Sequence, residues 1–337
     1  MRASRATFWV VLAYVAATTL VWAFLNVTGA DGGPFFEGSR IDRETLNRLL
    51  AGFVLFWVGW SWAFYRLKLR LLRRIGFSEA DLQLAFSSRL EEFDLEKLMG
   101  AYPERAVRIA DMVGRRGRTL AATFMGFYFV ARGIGENPTP ESLAFGLQTN
   151  LVEGTLYAWW SLITFHSDGI LGRIQYGAQA RIMDGVLGRA NALCIGTLWH
   201  AFKFVMIPLG FGLAAVFPPE GYAVVFALIW FGYLSCDFAS EIFGSLFGRQ
   251  TIRVWGLGDV NRKSAAGTVS GLLAALAVCN GIVLANGLGL EWHALAVAVS
   301  ISSALLELYS PRGSDDFTMA TGNALVCWAF GSLFLAP

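Results

Sequence analysis

The sequence predicts an all-α fold, a polytopic membrane bundle of about nine transmembrane helices. Of the 337 residues, 55% are hydrophobic and 15% are charged, whereas soluble domains carry roughly 25% charged residues. The mean hydropathy is +0.51, and 12 Trp and 27 Phe exceed what one water-soluble core can enclose. We therefore expect lipid to be the solvent for much of the surface.

Apolar runs close to the length of a membrane span each predict one helix. In chain order they cover residues 8–25, 49–65, 119–131, 145–165, 194–216, 221–236, 267–286, 292–308 and 317–335. The runs at 119–131 and 145–165 carry the least support, because Arg132 interrupts the first and Glu153 lies inside the second.

The basic residues predict the orientation of these spans. Residues 66–118 contain 12 Lys and Arg, whereas the loops expected on the other side hold only Arg40, Arg43, Arg48 and Arg132. Because cytoplasmic loops carry the excess of Lys and Arg, we expect the N-terminus and residues 66–118 on the inner side. The alternation of apolar and charged residues there predicts short amphipathic helices interrupted at Pro103.

Charge, cysteine and histidine content exclude several functions. A net charge of +2 is too small to indicate a nucleic-acid partner. The four cysteines lie far apart in apolar stretches, so we expect reduced packing residues rather than a zinc or redox site. His166, His200 and His293 are equally dispersed, which favours packed, hydrogen-bonded side chains over ligands.

A first polar constellation lies at residues 236–271, on the predicted inner side. Asp237 and Glu241 are four apart, so on one helix both carboxylates face the same way and suit Mg²⁺. Arg249 and Lys263 supply positive charge for phosphates. Ser264 precedes an apolar run as a candidate N-cap, and a helix starting there would offer backbone N–H groups to a phosphate.

A second constellation lies at residues 305–322, on the same predicted side. Glu307 ends a span, and Asp315 and Asp316 follow a Ser-Pro-Arg-Gly turn. Carboxylates and cations from the two segments should therefore converge, as phosphoryl transfer requires.

Each residue also has a structural interpretation. Ser264 and Asp316 are candidate helix caps, Arg249 and Lys263 are topology signals, and the glycines suit helix packing. The joint occurrence of both segments on one side favours the functional interpretation.

These motifs resemble the dolichol kinase and phytol kinase family. The first motif comprises Asp237, Phe247, Gly248, Arg249, Arg262, Lys263, Ser264, Gly267, Thr268 and Gly271. The second comprises Glu307, Ser310, Pro311, Gly313 and Asp315, with Asp316 where the family usually has Asn. The resemblance covers residue 231 to the end, and nothing is recognised in residues 1–190.

The resemblance implies a CTP-dependent kinase of dolichol, polyprenol, phytol or diacylglycerol, with Mg²⁺ and the bilayer as further partners. It implies catalytic roles for Glu307, Asp315 and Lys263 and metal binding by Asp237, Asp315 and Asp316. The expected nucleotide-binding residues are Gly248, Arg249, Arg262, Lys263, Ser264, Gly267 and Thr268.

We accordingly divide the chain into an N-terminal membrane region, 1–190, with an inner amphipathic segment at 66–118, and a catalytic membrane domain, 191–337. The compact loops suit a bacterial inner membrane.

Two alternative functions stay open. A phosphatidate cytidylyltransferase-like CDP-lipid synthase would use the same groups at the α-phosphate, and a non-catalytic transporter or scaffold would use the carboxylates for packing or an ion path.

Overall fold

The computed structural model describes residues 2–28, 43–134, 140–254, 261–311 and 313–335. The chain forms two compact units. The N-terminal unit combines the described residues of Met1–Thr28, Asp42–Gly126 and Val152–Thr197, and the C-terminal unit combines those of Phe127–Leu151 and Leu198–Pro337.

Helices make up almost all of the described chain, which confirms the all-α class. They are α1 (Arg2–Thr28), α2 (Arg43–Gly52), α3 (Ser61–Ile75), α4 (Glu79–Ala85), α5 (Glu92–Ala101), α6 (Glu104–Ile134), α7 (Pro140–Thr164), α8 (Ile170–Gln179), α9 (Gly188–Ala214), α10 (Pro219–Phe247), α11 (Ala265–Ala285), α12 (Leu290–Tyr309) and α13 (Asp315–Phe330). π-helical turns cover Phe53–Trp60 and Gly331–Leu335, and a 3₁₀ segment covers Ile182–Leu187.

One short hairpin departs from the helical prediction. Strands β1 (Thr251–Val254) and β2 (Asn261–Ser264) pair antiparallel between α10 and α11. No strand was predicted from the sequence for this segment. Trp255 and Gly258, which mark its middle in the sequence, lie outside the described residues.

Six helical segments in the described part of the chain are long and apolar enough to cross a membrane: Arg5–Phe24, Glu44–Ile75, Gly221–Phe247, Ala265–Ala285, Leu290–Tyr309 and Asp315–Phe334. The other three predicted spans fall on α6, α7 and α9, which have 31, 25 and 27 residues. A multi-pass membrane protein follows from these helices, and the count of nine stays a prediction.

In the N-terminal unit, the polar segment forms a small helical layer with its own core. Gly76, at φ +106°, ends α3, and the Ser78 side chain caps α4 by accepting a hydrogen bond from the Asp81 backbone N–H. After Pro103 the chain continues as α6. The shared core contains Tyr65, Leu69, Leu72, Leu82, Leu98, Val107, Ile174 and Ile182.

A buried ion pair holds this layer together. Lys68 Nζ lies 2.7 Å from Asp111 Oδ1, and their side chains are 0% and 3% exposed. Lys68 also donates to the Ala180 carbonyl, and the Ile182 backbone N–H donates to Asp111. Burial raises the pKa of Asp111 although Lys68 opposes that shift. Lys68, which we counted among the loop charges, is thus a buried structural cation.

A second buried cation, Arg118, joins α3, α6, α7 and α8. Its guanidinium donates to Ser61 Oγ at 2.8 Å and to Gln175 Oε1 at 2.6 Å. It also lies 5.3 Å from the ring centroid of Trp57 and 5.1 Å from that of Tyr157. Within the described residues its partners are neutral, so hydrogen bonds and aromatic faces solvate the charge.

In the C-terminal unit, α10 to α13 enclose a continuous apolar core. Its fully buried members include Leu228, Ile229, Ala275, Val283, Leu295, Val299, Met319 and Ala324. The helices approach closely at glycines: a β-carbon on Gly232 would lie 2.9 Å from Val299 Cγ1. All four cysteines are free, and three of them are buried, as expected for packing residues.

Candidate functional site

Four charged side chains from separate elements of the C-terminal unit converge. Asp237 comes from α10, Lys263 from β2, Glu307 from the last turn of α12 and Asp315 from the first turn of α13. Lys263 Nζ lies 2.6 Å from Glu307 Oε1 and 3.9 Å from Asp315 Oδ2. Both predicted constellations therefore contribute to one cluster, which we call the Lys263 cluster.

The Lys263 cluster is largely shielded from solvent. The side chains of Lys263 and Glu307 are 15% and 6% exposed, and that of Asp315 is 24% exposed. Asp237 is buried. Because electrostatic interactions strengthen as water is excluded, the carboxylates act strongly on the ammonium. Burial disfavours the charged amine, but Asp315, Glu307 and Asp237 prevail and raise the pKa of Lys263.

A tight turn between α12 and α13 brings Asp315 towards Lys263. The chain leaves α12 at Ser310 and passes Pro311, which cannot continue the helix. Gly313 adopts φ +81°, where glycine is favoured. The Ser314 backbone N–H donates to the Pro311 carbonyl at 2.9 Å. The Ser-Pro-x-Gly sequence therefore encodes the reversal that places Asp315 at the start of α13.

Gly248 and Gly267, two predicted nucleotide-binding residues, have a packing role. A β-carbon on Gly248, at the end of α10, would lie 2.8 Å from Cβ of Ser264, the N-cap of α11. A β-carbon on Gly267 would lie 2.8 Å from the Ser240 carbonyl oxygen. The structural interpretation thus accounts for both glycines, since they permit the close contact of α10 with α11.

The start of α11 also departs in part from our expectation. Ser264 caps the helix as predicted, accepting a hydrogen bond from the Gly267 backbone N–H at 3.1 Å. The Ala265 N–H donates to the Gln250 carbonyl at 3.2 Å, and the Thr268 hydroxyl donates to the Ser264 carbonyl. Two of the N–H groups that we expected to be open to a phosphate are therefore already bonded within the protein.

Arginine residues lie in and next to the hairpin that carries Lys263. Arg249 is exposed just after α10, and Arg253 is exposed in β1. The register makes Arg253 and Arg262 Cα partners across the hairpin; the side chain of Arg262 lies outside the described residues. Arg253 is not among the site residues predicted from the sequence. No strand signal in the sequence points to it, because all four side chains of NRKS are polar.

The carboxylates fit a divalent cation only in part. No group of three or more His, Cys, Asp or Glu side chains is arranged to hold a metal within the described residues, so Asp237, Asp315 and Asp316 do not form a preassembled site. Mg²⁺ does not require one, because it is commonly held by one or two carboxylates, waters and substrate phosphates. Lys263 with three ionised carboxylates has a formal charge of −2, which a divalent cation would neutralise.

These features define an integral membrane protein with a shielded charged site at the ends of its C-terminal helices. A phytol kinase from Synechocystis sp. (strain ATCC 27184 / PCC 6803 / Kazusa) is 31% identical over 189 residues, which cover 53% of this chain and 75% of that protein. The chain therefore belongs to the phytol and polyprenol kinase family. The match is longer than the stretch from residue 231 to the end that carries the motifs. No family profile and no solved structure matches.

Proposed function

We propose that this protein is a CTP-dependent lipid kinase that transfers a phosphoryl group to the hydroxyl of an isoprenoid or related lipid alcohol. Membership of the phytol kinase family supports a lipid kinase. The observation that carries the proposal further is the Lys263 cluster, in which residues 44 apart in sequence form a charged pair. CTP as donor is taken from the family resemblance.

The charge distribution supports a nucleoside triphosphate as donor. Arg249 is exposed just before β1 and Arg253 is exposed within it, on the hairpin that carries Lys263, and neither makes an ion pair with the residues that the structure describes. Arginine is well suited to phosphate because its donors match two oxygens at once. Lys263 would contact the phosphates from the shielded side.

Asp315 and Asp237, with Asp316 adjacent in sequence, are the residues that we assign to Mg²⁺. When bound, this ion would neutralise charge on the phosphate oxygens and orient the phosphoryl group. Asp315 is the most exposed of the three carboxylates that act on Lys263, so it is well placed to meet an ion arriving with its nucleotide.

Glu307 is our candidate for the group that receives the proton of the lipid hydroxyl. As the proton moves to Glu307, the hydroxyl oxygen forms a bond to the γ-phosphorus. The bond from that phosphorus to the β,γ-bridging oxygen breaks, and CDP leaves. Lys263 would stabilise the charge that develops on the phosphate oxygens.

We further propose that α6, α7 and α9 cross the membrane with the six apolar segments, which gives nine spans and places the Lys263 cluster on the cytoplasmic side. The excess of Lys and Arg in alternate loops supports this orientation. A bacterial inner membrane is the proposed location.

The decisive experiment measures the transfer of label from CTP to lipid. Purified protein in liposomes is incubated with Mg²⁺, a panel of lipid alcohols and lipid phosphates, and CTP labelled separately on the γ-phosphate and the cytidine. We expect the γ-label to appear on a lipid alcohol. A Lys263→Ala variant should lose this transfer, and Lys97→Ala, which changes an exposed lysine elsewhere, should retain it.

Other outcomes would replace the proposal. Transfer of the cytidine label to a lipid phosphate would identify a CDP-lipid synthase. If neither label moves with CTP, and ATP labelled on its γ-phosphate gives no transfer either, a transporter or scaffold becomes the better description.

A further inference from the structure

Lys263 is held by the residue that the proposed reaction needs as a base. Its Nζ lies 2.6 Å from Glu307 Oε1, whereas Asp315 Oδ2 is 3.9 Å away. The ammonium of Lys263 therefore makes its shorter contact with Glu307 and its longer one with Asp315. A nucleotide phosphate carries more negative charge than one carboxylate, so a phosphate that contacts this ammonium attracts it away from Glu307.

We infer that Glu307 and the nucleotide phosphates compete for Lys263, so that nucleotide binding releases Glu307 and must precede productive binding of the lipid alcohol. This inference rests on the proposed kinase function and adds an order of binding to it. Without nucleotide, Glu307 is neutralised by Lys263 and the site is held inactive.

The surrounding structure allows the ammonium to move while its backbone stays in place. Lys263 is paired with Ile252 across the hairpin, and the next residue, Ser264, caps α11. Its backbone is thus fixed at two points, but the side chain ends in a four-carbon stem with rotatable bonds. Asp315 Oδ2, 3.9 Å from the ammonium, offers a second partner during the exchange.

Glu307 is equally well fixed. It lies in the last turn of α12 and is 6% exposed, so it has little freedom to follow Lys263. When Lys263 turns to a phosphate, Glu307 keeps its position and loses its hydrogen-bonded counter-ion. An uncompensated, shielded carboxylate is a better proton acceptor than a paired one, and the hydroxyl proton that it receives restores neutrality.

The first test measures the affinity of the purified protein for a non-hydrolysable CTP analogue with Mg²⁺. Removing the competitor should tighten binding, so Glu307→Gln should bind the analogue about tenfold more strongly, the effect expected from one charged hydrogen bond, while transfer to lipid is lost. Glu291→Gln, an exposed carboxylate at the opposite end of α12, should leave both affinity and transfer unchanged.

A double variant separates competition from simple charge repulsion. In a Lys263→Met background there is no ammonium to compete for, so adding Glu307→Gln should no longer improve affinity. If the tenfold gain persists in that background, repulsion explains it and the inference is wrong. Weaker or unchanged binding by Glu307→Gln alone would also overturn it.

The second test determines the order of binding by isotope trapping. Protein incubated with γ-labelled CTP and then mixed with lipid alcohol and excess unlabelled CTP should transfer the label. Protein preincubated with labelled lipid alcohol and then mixed with CTP and excess unlabelled lipid should not. Efficient trapping of the lipid would refute the order while leaving the kinase proposal intact, and absence of any γ-transfer would refute the proposal itself.

Discussion

Gly271 of α11 lies against Ser240 of α10 so closely that a β-carbon at residue 271 would be 2.2 Å from Ser240 Oγ and 2.9 Å from the Cys236 carbonyl oxygen. The helix in contact there carries Asp237, one residue from Cys236. Separating α10 from α11 would therefore move Asp237 relative to Lys263.

Gly271→Ala should lower the free energy of unfolding by about 1–3 kcal/mol, the usual cost of overpacking a close contact, and should reduce transfer. Thermal unfolding in detergent and γ-label transfer measure the two effects. Gly281→Ala is the matched control on the same helix, because nothing lies within 4 Å of a β-carbon there. Equal behaviour of the two variants would show that the close contact has no energetic importance.

Asp315→Ala should reduce phosphoryl transfer by at least about 100-fold, the scale on which charge-stabilising groups act in catalysis, while the protein remains folded. The variant should remain folded because Asp315 is partly exposed and lies at the start of α13 rather than in the apolar core. Turnover measured over a range of Mg²⁺ concentrations, together with a thermal melt, tests this. Wild-type turnover would remove Asp315 from the metal assignment.

Lys263 should react more slowly than the exposed Lys97 with an amine-selective reagent at about pH 9, where the small neutral fraction of a lysine reacts. The pKa of Lys263 is raised, chiefly by Asp315 and Glu307 acting against burial, so its neutral fraction is smaller still. Peptide mass spectrometry after brief labelling gives both rates. Equal rates for the two lysines would contradict the shielded ion pair.

Lys68→Met should destabilise the protein by about 3 kcal/mol or more, because it leaves the Asp111 carboxylate buried without its counter-ion. Replacing both partners, as in Lys68→Met with Asp111→Leu, should recover much of that loss. Arg70→Met changes an exposed cation on the same helix and should cost little. Chemical denaturation monitored by tryptophan fluorescence compares the four proteins.

Cysteines introduced at Arg89 and Gln250 should be labelled by a membrane-impermeant thiol reagent from the same side of the membrane. Both positions are exposed in the structure, and the predicted orientation places both on the inner side. A cysteine at the exposed Asn286, between α11 and α12, should be labelled from the opposite side. Labelling of Arg89→Cys and Gln250→Cys from different sides would refute the nine-span arrangement.

The helices and the convergence of the site could be predicted from the sequence, and other features could not. Apolar runs identify spans because lipid imposes a minimum length on them. Glu307 and Asp315 could be placed near Lys263 because alternate connections face the same side. The hairpin was missed because TIRV and NRKS are four residues each and carry six polar side chains against two apolar ones, a pattern that also fits a loop.

Lys68 and the site glycines show why individual roles are harder to predict. A lysine in a basic segment usually faces water, and only the three-dimensional position of Asp111 shows that Lys68 is buried. Gly248 and Gly267 match a nucleotide motif, but their neighbours across the α10 and α11 contact, Ser264 and Ser240, explain them without a ligand. The spacing of residues along the chain shows neither the burial of Lys68 nor the neighbours of the two glycines.

Because Lys263 lies in a hairpin, its position does not depend on the length of the segment that joins β1 to β2. Its open end is closed by the bond from the Ala265 N–H to the Gln250 carbonyl and by the pairing of Thr251 with Ser264. Residues inserted between Val254 and Asn261 would therefore lie away from the end of the hairpin that is bonded to the start of α11. The segment between Val254 and Asn261 can therefore vary in length and sequence, for instance by insertion of an epitope, without displacing the ammonium of Lys263 beside Glu307.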